Sequence, residues 1–323
     1  MVLILSENND LSTDKVIEWL NYWEVKNIIR INEKDKVFIK KIDIRKNTII
    51  LSFDNREINL SDIDFFWFRR GNLNHFIDKQ IQFENKDVNK GFNDFLNYEW
   101  LMCRNYIFHH LQQKKSLGNF FRSATNKLIN LRMAKECGLE IPETFVSEFA
   151  SDLIDFQNQF PIITKPVGEA MPIYQDKGHY KMLTTSIEKD RLINSHSTYI
   201  CPVLFQEKIE KQFEIRVFVM YEKIYAMAIF SQKNTKTHVD YRNYDYEKKN
   251  RMIPYDLPID VQQKILNFMK KIGLDTGSLD MIKTPDNRFV FLEVNPAGNI
   301  EMVSVTCNYN IEKAIAEIIK NAI

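Results

Sequence analysis

Arg288-Phe-Val-Phe-Leu-Glu-Val-Asn-Pro-Ala-Gly-Asn299 decides the reading of this chain, together with Gly277-Ser-Leu-Asp-Met-Ile282 just before it. Both are short β-branched and aromatic runs with polar residues interspersed, and Pro285-Asp-Asn between them is turn chemistry, which predicts a β-hairpin. Residues two apart in a strand share a face, so Glu293 and Asn295 project to the same side. With Asp280 on the facing strand, three hard oxygen donors converge in the outline of a magnesium site. Mg²⁺ takes few protein oxygens and leaves the rest of its shell to water and phosphate. A solvated hairpin carrying surface acids competes with that reading on these residues alone.

Upstream, Phe213-Glu-Ile-Arg-Val-Phe-Val-Met220 alternates, with Glu214, Arg216 and Phe218 on one face and Ile215, Val217 and Val219 on the other. Exposed ion pairs contribute only ~0 to 1 kcal/mol, so stability is a weak reason for an acid and an arginine on one strand face. Tyr199 to Glu207 is an apolar strand that turns polar at Gln206 and Glu207, and Phe160 to Pro166 is a strand ending in Lys165 before a small-residue turn. Such a lysine either reaches a phosphate or is simply solvated. Asn126 to Gly138 reads as a helix with a Gly stop, followed by a strand over Leu139 to Phe145. Ser231 to Arg251 is polar, lacks a hydrophobic period and contains Asp240-Tyr-Arg242, which predicts a mobile loop or projecting hairpin in the position of a lid. Val261 to Ile272 is a helix stopped by Gly273, and Ile311 to Ile323 is the closing helix.

At the amino end, Val2 to Leu5 reads as a buried strand and Leu11 to Trp23 as a helix capped by Ser12 or Thr13. Probable strands follow over Ile39 to Phe53. The strand Ile63 to Phe68 then stops at Arg69-Arg-Gly71, either an anion site at a strand end or two solvated charges. No GxGxxG or GxxxxGK follows, so Gly71 makes no phosphate loop. Asp87 to Lys114 fits one long amphipathic helix or two short ones, and its adjacent His109 and His110 do not share a helix face as metal ligands. Strand, turn and helix in this order predict an α/β domain ending near residue 115.

The chain has 323 residues, enough for two or three domains, and a net charge of +1, so no global field favours nucleic acid or an anionic membrane. Cys103, Cys137, Cys201 and Cys307 form no CxxC pair, as expected of reduced thiols in a cytoplasmic protein. No apolar run approaches the ~18 residues of a membrane span.

From roughly Lys115 onward the order of these pieces resembles the ATP-grasp ligase superfamily, and the amino-terminal segment is similar to its pre-ATP-grasp domain. The resemblance implies an α/β (α+β) fold with an amino-terminal domain over 1–115, a central subdomain over 116–200 and a catalytic subdomain over 201–323. Asp280 followed by Glu293-x-Asn295-Pro resembles the two-magnesium motif, and Lys127 and Lys165 match the two nucleotide-phosphate lysines. Gln206 and Glu207 resemble the hinge that holds adenine, with Ile209 beside it, and Glu214 stands where the superfamily places a ribose ligand. Trp67-Phe-Arg-Arg70, Phe213 to Val219, and Val239-Asp-Tyr-Arg242 followed by Pro254-Tyr-Asp-Leu-Pro258 are closer to the microviridin-type or graspetide ligases, including the grasp-with-spasm branch.

That likeness implies ATP and Mg²⁺ as cofactors and a precursor peptide, with leader and core, as partner. Its Asp or Glu carboxylates would be activated and joined to Thr, Ser or Lys as esters or amides. Arg216 and Arg242 become candidates for the γ-phosphate and the substrate carboxylate, and Asp240 for a base or, by preference, the group that orients Arg242. A leader helix is expected near 225–271, where Tyr241, Tyr244, Tyr246 and Tyr255 offer an aromatic surface, and a homodimer is usual in the group. The "EIRVFV" strand is also similar to ribosomal-protein glutamate ligases, so addition of amino acids to a peptide or protein end is the second enzymatic reading. A non-catalytic, peptide-binding pseudoligase is a third, disfavoured by the presence of every motif residue.

Overall fold

The computed structural model describes residues 1–74, 83–168, 173–175, 178–180, 183–187, 199–243, 245 and 247–323. The chain forms two compact units, residues 1–123 with 310–323, and residues 124–309.

In the first unit, β1 (Val2–Ser6), β2 (Ile28–Asn32), β6 (Phe65–Phe68) and β7 (Lys115–Leu117) make a parallel sheet in the order β2-β1-β6-β7. Every residue of β1 and β6 is buried, as parallel strands covered on both faces require. The segments β3 (Phe38–Asp43), β4 (Thr48–Phe53) and β5 (Arg56–Asn59) form a separate antiparallel meander. Helix α1 (Leu11–Tyr22) packs against the closing helix (Ile311–Ala322), where Lys313 lies over the Trp19 ring at 5.1 Å. The closing helix therefore belongs to the first unit, and β7 carries that unit past residue 115. Helix α2 (Lys86–Gln112) is one uninterrupted helix whose carboxyl end buries Ile107, Phe108 and Leu111.

Two expectations here are corrected. Asp10, rather than Ser12 or Thr13, caps α1. Its carboxylate accepts from the Thr13 amide at 2.9 Å, while Ser12 and Thr13 are buried inside the helix. Arg69 and Arg70 are not merely solvated: the Nε of each lies 3.3 Å from the same Asp10 oxygen, and Arg70 also pairs with Glu7 at 3.4 Å. Burial, reinforced by Arg70, brings the Arg69 guanidinium down to about 10.

In the second unit, β8 (Thr144–Phe149), β9 (Ile162–Lys165), β12 (Thr185–Ser186) and β13 (Tyr199–Glu207) form an antiparallel sheet in the order β12-β9-β13-β8. Helices α3 (Lys127–Glu136) and α4 (Ala150–Gln159) belong to this part, with a short pair β10 (Ile173–Gln175) and β11 (Gly178–Tyr180). The strand expected over 139–145 begins instead at Thr144, and Glu140 makes only an isolated bridge to Val290. Because β13 is hydrogen-bonded between β8 and β9, the change of sheet falls after Glu207 rather than at 200.

The second sheet has five antiparallel strands, β16 (Arg251–Pro254), β15 (Lys223–Phe230), β14 (Phe213–Met220), β17 (Thr276–Lys283) and β18 (Phe289–Asn295), in that order. Helix α5 (Ile259–Ile272) presents Val261, Ile265, Phe268, Met269 and Ile272 to one face of this sheet, meeting Ile215, Val217, Leu279, Met281 and Phe291. Gly273 ends α5 at φ +70°, in the left-handed region where a β-carbon is disfavoured. The opposite face of β14 is left for Glu214 and Arg216. Residues 231–250 contain no helix or strand among those described.

Candidate active site

The site starts from strand register. Arg216 on β14 pairs with Asp280 on β17, and Asp280 in turn faces Glu293 on β18, so three charged residues lie in line across three neighbouring strands. A bulge makes this possible. Between Asp280 and Met281 the partner jumps from Glu293 to Phe291, and the extra residue, Leu292, turns Phe291 into the core while Glu293 stays on the site face. A regular strand would place Phe291 and Glu293 on the same side. The turn after Asn295 is equally tight: a Cβ on Gly298 would lie 2.1 Å from Ser278 Oγ, so only glycine fits there.

The hydrogen bonds fix these charges. Arg216 Nη1 donates to Asp280 Oδ1 at 2.6 Å, and the Tyr241 hydroxyl approaches the same oxygen at 3.5 Å. Burial disfavours the Arg216 charge, but Asp280, together with Tyr241 and Glu293, holds the guanidinium above its ordinary value. Lys127 and Lys165 flank Glu293 Oε2 at 3.8 and 3.9 Å, and Lys127 also donates to the carbonyls of Pro166 and Gly168. Burial pushes the Lys165 ammonium down, with Glu293 acting in the opposite sense.

Arg242 is clamped by Asp240. Its Nε and Nη2 donate to the two carboxylate oxygens at 2.9 and 2.7 Å, leaving Nη1 3.6 Å from Glu293. Burial raises the Asp240 carboxyl, yet the fork from Arg242 holds it below its usual value, and the same contact raises Arg242. Both oxygens of Asp240 are thus engaged by Arg242.

These groups surround a cavity of about 460 Å³ lined by Lys165, Gln206, Glu207, Ile209, Glu214, Asp240, Arg242, Asp280 and Glu293. Arg216 and Lys127 are not among its lining residues but pair with Asp280 and Glu293, which are. Asn295 is exposed at the end of β18 and accepts from the Ala297 amide at 3.1 Å. One end of the cavity is apolar, with Ile209, Ile282 and Val290 clustered against Leu292. Beside it Gln206 donates to the Thr144 hydroxyl at 2.9 Å, while its buried Oε1 has no hydrogen-bond partner among the described residues.

Sequence reasoning missed Lys211. Its ammonium donates to Glu214 Oε1 at 2.6 Å and to the Val239 carbonyl at 3.0 Å, tying β14 to the loop that carries Asp240. The signal was its position three residues before Glu214 at a strand entry. The other Glu214 oxygen accepts from Ser231 at 2.6 Å, and burial raises this carboxyl despite Lys211. The expected aromatic surface is not formed by Tyr241 and Tyr255. Tyr241 is buried beside Asp280, and Tyr255 packs on Phe213 at 5.3 Å; Tyr244 and Tyr246 lie outside the described residues.

The RimK-like ATP-grasp domain matches residues 124–319, more than half of the chain. The chain belongs to the RimK-like ATP-grasp family. As an ATP-grasp ligase it matches solved structures along its whole length. The macrocyclase MdnC of Microcystis aeruginosa, bound with precursor peptide MdnA, is 28% identical, with 100% of both chains covered and a TM-score of 0.79. A RiPP-associated ATP-grasp ligase of Chryseobacterium gregarium, in complex with ADP and a leader and core peptide, is 26% identical, covering 100% of this chain and 97% of the other at a TM-score of 0.83. PsnB, complexed with a minimal precursor variant, Mg and ADP, shares the ligase's fold at 16% identity and a TM-score of 0.72, covering 99% of this chain and 98% of that one. No curated protein matches the chain. Among the described residues no helix is long and apolar enough to cross a membrane.

The residues fit the nucleotide that the family implies. The apolar slot suits a purine, the buried Gln206 Oε1 is an acceptor left over for a donor such as its amine, and the lysine pair suits phosphates. No three His, Cys, Asp or Glu side chains gather among the described residues, so a metal would rest on Asp280, Glu293 and Asn295, with phosphate and water completing its shell.

Proposed function

We propose that this ligase closes ester or amide rings in a ribosomally made precursor peptide, joining Asp or Glu side chains to Thr, Ser or Lys. The observation that carries the reading is the full-length match to two peptide ligases. It includes residues 1–123, which the RimK-like domain leaves out and which the MdnC and Chryseobacterium structures cover. An activity shared only with the wider family would account for the second unit alone.

Condensing a carboxylate with a hydroxyl or amine in water is uphill; ATP with Mg²⁺, two ions in our reading, would supply the activation, the carboxylate taking the γ-phosphoryl group with release of ADP and the hydroxyl or amine then displacing phosphate. Lys127 and Lys165 would hold the phosphates, Asp280, Glu293 and Asn295 the metal, and Gln206, Glu207 and Ile209 the adenine. Glu214, already held by Lys211 and Ser231, would face the ribose. Arg242, fixed by Asp240, points its remaining nitrogen into the cavity, where it can pair with the substrate carboxylate. Arg216, locked to Asp280, stabilises charge that develops beside it. The 231–250 loop walls this side and limits water, which would hydrolyse the activated acid.

We further assign a central subdomain and a carboxyl-terminal subdomain to the second unit, a cytoplasmic setting and a homodimer. Four free cysteines support the setting. The exposed row Val88, Phe95, Tyr98 and Met102 on α2 supports the dimer. The test is intact-mass spectrometry of a candidate precursor incubated with the protein, ATP and Mg²⁺. Losses of ~18 Da, one water per ring, are expected. A gain in amino-acid steps would replace the proposal with the residue-adding reading.

A further inference from the structure

A second cavity, of about 290 Å³, lies next to the first and shares Gln232 as a wall. Its charged lining is Lys233, Lys248, Lys249 and Arg251, and among the described residues no carboxylate lines it and none of these four cations is ion-paired. The first cavity is the opposite. On its lining Arg242 has a carboxylate partner in Asp240, Lys211 in Glu214 and Lys165 in Glu293. Like charges gathered around a small concavity repel one another, and an anion is what offsets them.

The cavity is built rather than incidental. Asn234 is buried and donates to Asp245 at 3.1 Å and to the Lys248 carbonyl at 2.9 Å, closing the loop across its base. Thr237, also buried, joins the Ser231 carbonyl to Asn250. Lys248 Nζ reaches the Lys233 carbonyl at 3.4 Å, bringing the two lysine-bearing arms together, and Arg251 lies over the Phe230 ring at 5.6 Å.

We propose that this cleft holds carboxylates of an acidic peptide substrate that are not the one being activated next door. The inference rests on the peptide-ligase reading and adds the chemistry of the stretch beside the reacting residue. A peptide whose acids are joined one at a time brings its remaining acids to the walls of the site, and the paired cations of the first cavity are committed to its own carboxylates, to the nucleotide and to the one acid being activated. The side-chain amides of Gln212 and Asn250 on its lining suit carboxylate oxygens and peptide groups alike, whereas those of Asn234 and Gln232 already donate within the loop.

The test is equilibrium binding of a fluorescein-labelled peptide of alternating Thr and Glu to the full chain with ADP and Mg²⁺, against its Thr and Gln counterpart, by fluorescence anisotropy. In a Lys248→Glu, Lys249→Glu variant the acidic peptide is expected to bind about tenfold more weakly, two modest surface contacts having been reversed. The Gln peptide should bind wild type and variant alike. The Lys248→Gln, Lys249→Gln variant, which introduces no new repulsion, should show a smaller loss in the same direction and serves if the reversed variant does not fold. Equal affinity of the acidic peptide for wild type and the neutral variant overturns the proposal. So does tight binding of a single-stranded oligonucleotide that the variants lose while the Glu and Gln peptides bind alike, which would assign the cleft to a phosphate backbone. Because no turnover is needed, charge-dependent binding without ring closure would sink the ligase reading and leave the cleft. Ring closure with an unchanged KM in the neutral variant would do the reverse.

Discussion

The two walls of the larger cavity hold their charges by different means. On the sheet wall, Arg216, Asp280 and Glu293 sit on adjacent strands whose ladders fix their spacing, so each side chain inherits its position from dozens of backbone bonds elsewhere in the sheet. On the loop wall, Asp240 and Arg242 sit in a segment without regular structure. They are placed by a few backbone turns, among them the Asn243 amide on the Asp240 carbonyl at 3.0 Å, and by side-chain bonds: Lys211 to Val239, Thr237 to Ser231, Asn234 to Lys248, and the clamp between the pair itself. A residue on the sheet wall can be changed without moving its neighbours, whereas one on the loop wall contributes both a charge and the placement of another charge.

The largest effect should come from the sheet wall. Glu293→Gln keeps shape and strand position but removes the carboxylate between Lys127, Lys165 and Arg242, so ATP turnover should fall by about 10³-fold or more, with the melting temperature unchanged within a few degrees. Turnover within tenfold of wild type, read by phosphate release, would remove Glu293 from the metal site. On the loop wall, Asp240→Asn breaks the fork that aims Arg242, and kcat is expected to drop by about 10² with the KM for ATP little changed. An Asp240→Glu variant should recover part of it, because a carboxylate one methylene longer can still pair with Arg242. Loss of ATP affinity instead of kcat would move Asp240 from the substrate end to the nucleotide end.

The same contrast explains what the sequence revealed. Strand β14 and the β17–β18 hairpin are found where alternation put them, because period-two patterning and a turn are local signals. The bulge at Leu292 was invisible: a strict alternation carries Phe291 and Glu293 to one face, and only the packing of Phe291 on Phe268 at 5.0 Å shows otherwise. The cap of α1 was missed because Asp10, Ser12 and Thr13 are all good capping residues, and what selects Asp10 is its pairing with Arg69 and Arg70, far away in sequence. For the same reason the segment around Asp240 read only as a mobile loop or projecting hairpin. Its buried Asn234 and Thr237 look like ordinary loop residues until their partners at Lys248 and Asn250 are known.

The smallest expected effect separates the cations themselves. Arg216 and Arg242 are held above their ordinary value by Asp280 and Asp240, so both stay charged through any accessible alkaline range. Lys165 is pushed down from 10.5 by burial, then by Lys127 and Arg242, against the support of Glu293. A lysine carries its charge below its pKa and loses it above, so nucleotide affinity should be flat near neutrality and fall as the pH rises, with the break below 10.5. In Glu293→Gln the main support for the ammonium is gone, and the break should move to still lower pH. Calorimetric titration of ADP without Mg²⁺, from neutrality upward, reads this directly. A break at the same pH in both proteins would mean that Lys165 is not the titrating group. A flat profile up to 10.5 would mean that the Lys165 charge does not contribute to nucleotide binding, leaving the phosphates to Lys127 and the arginines.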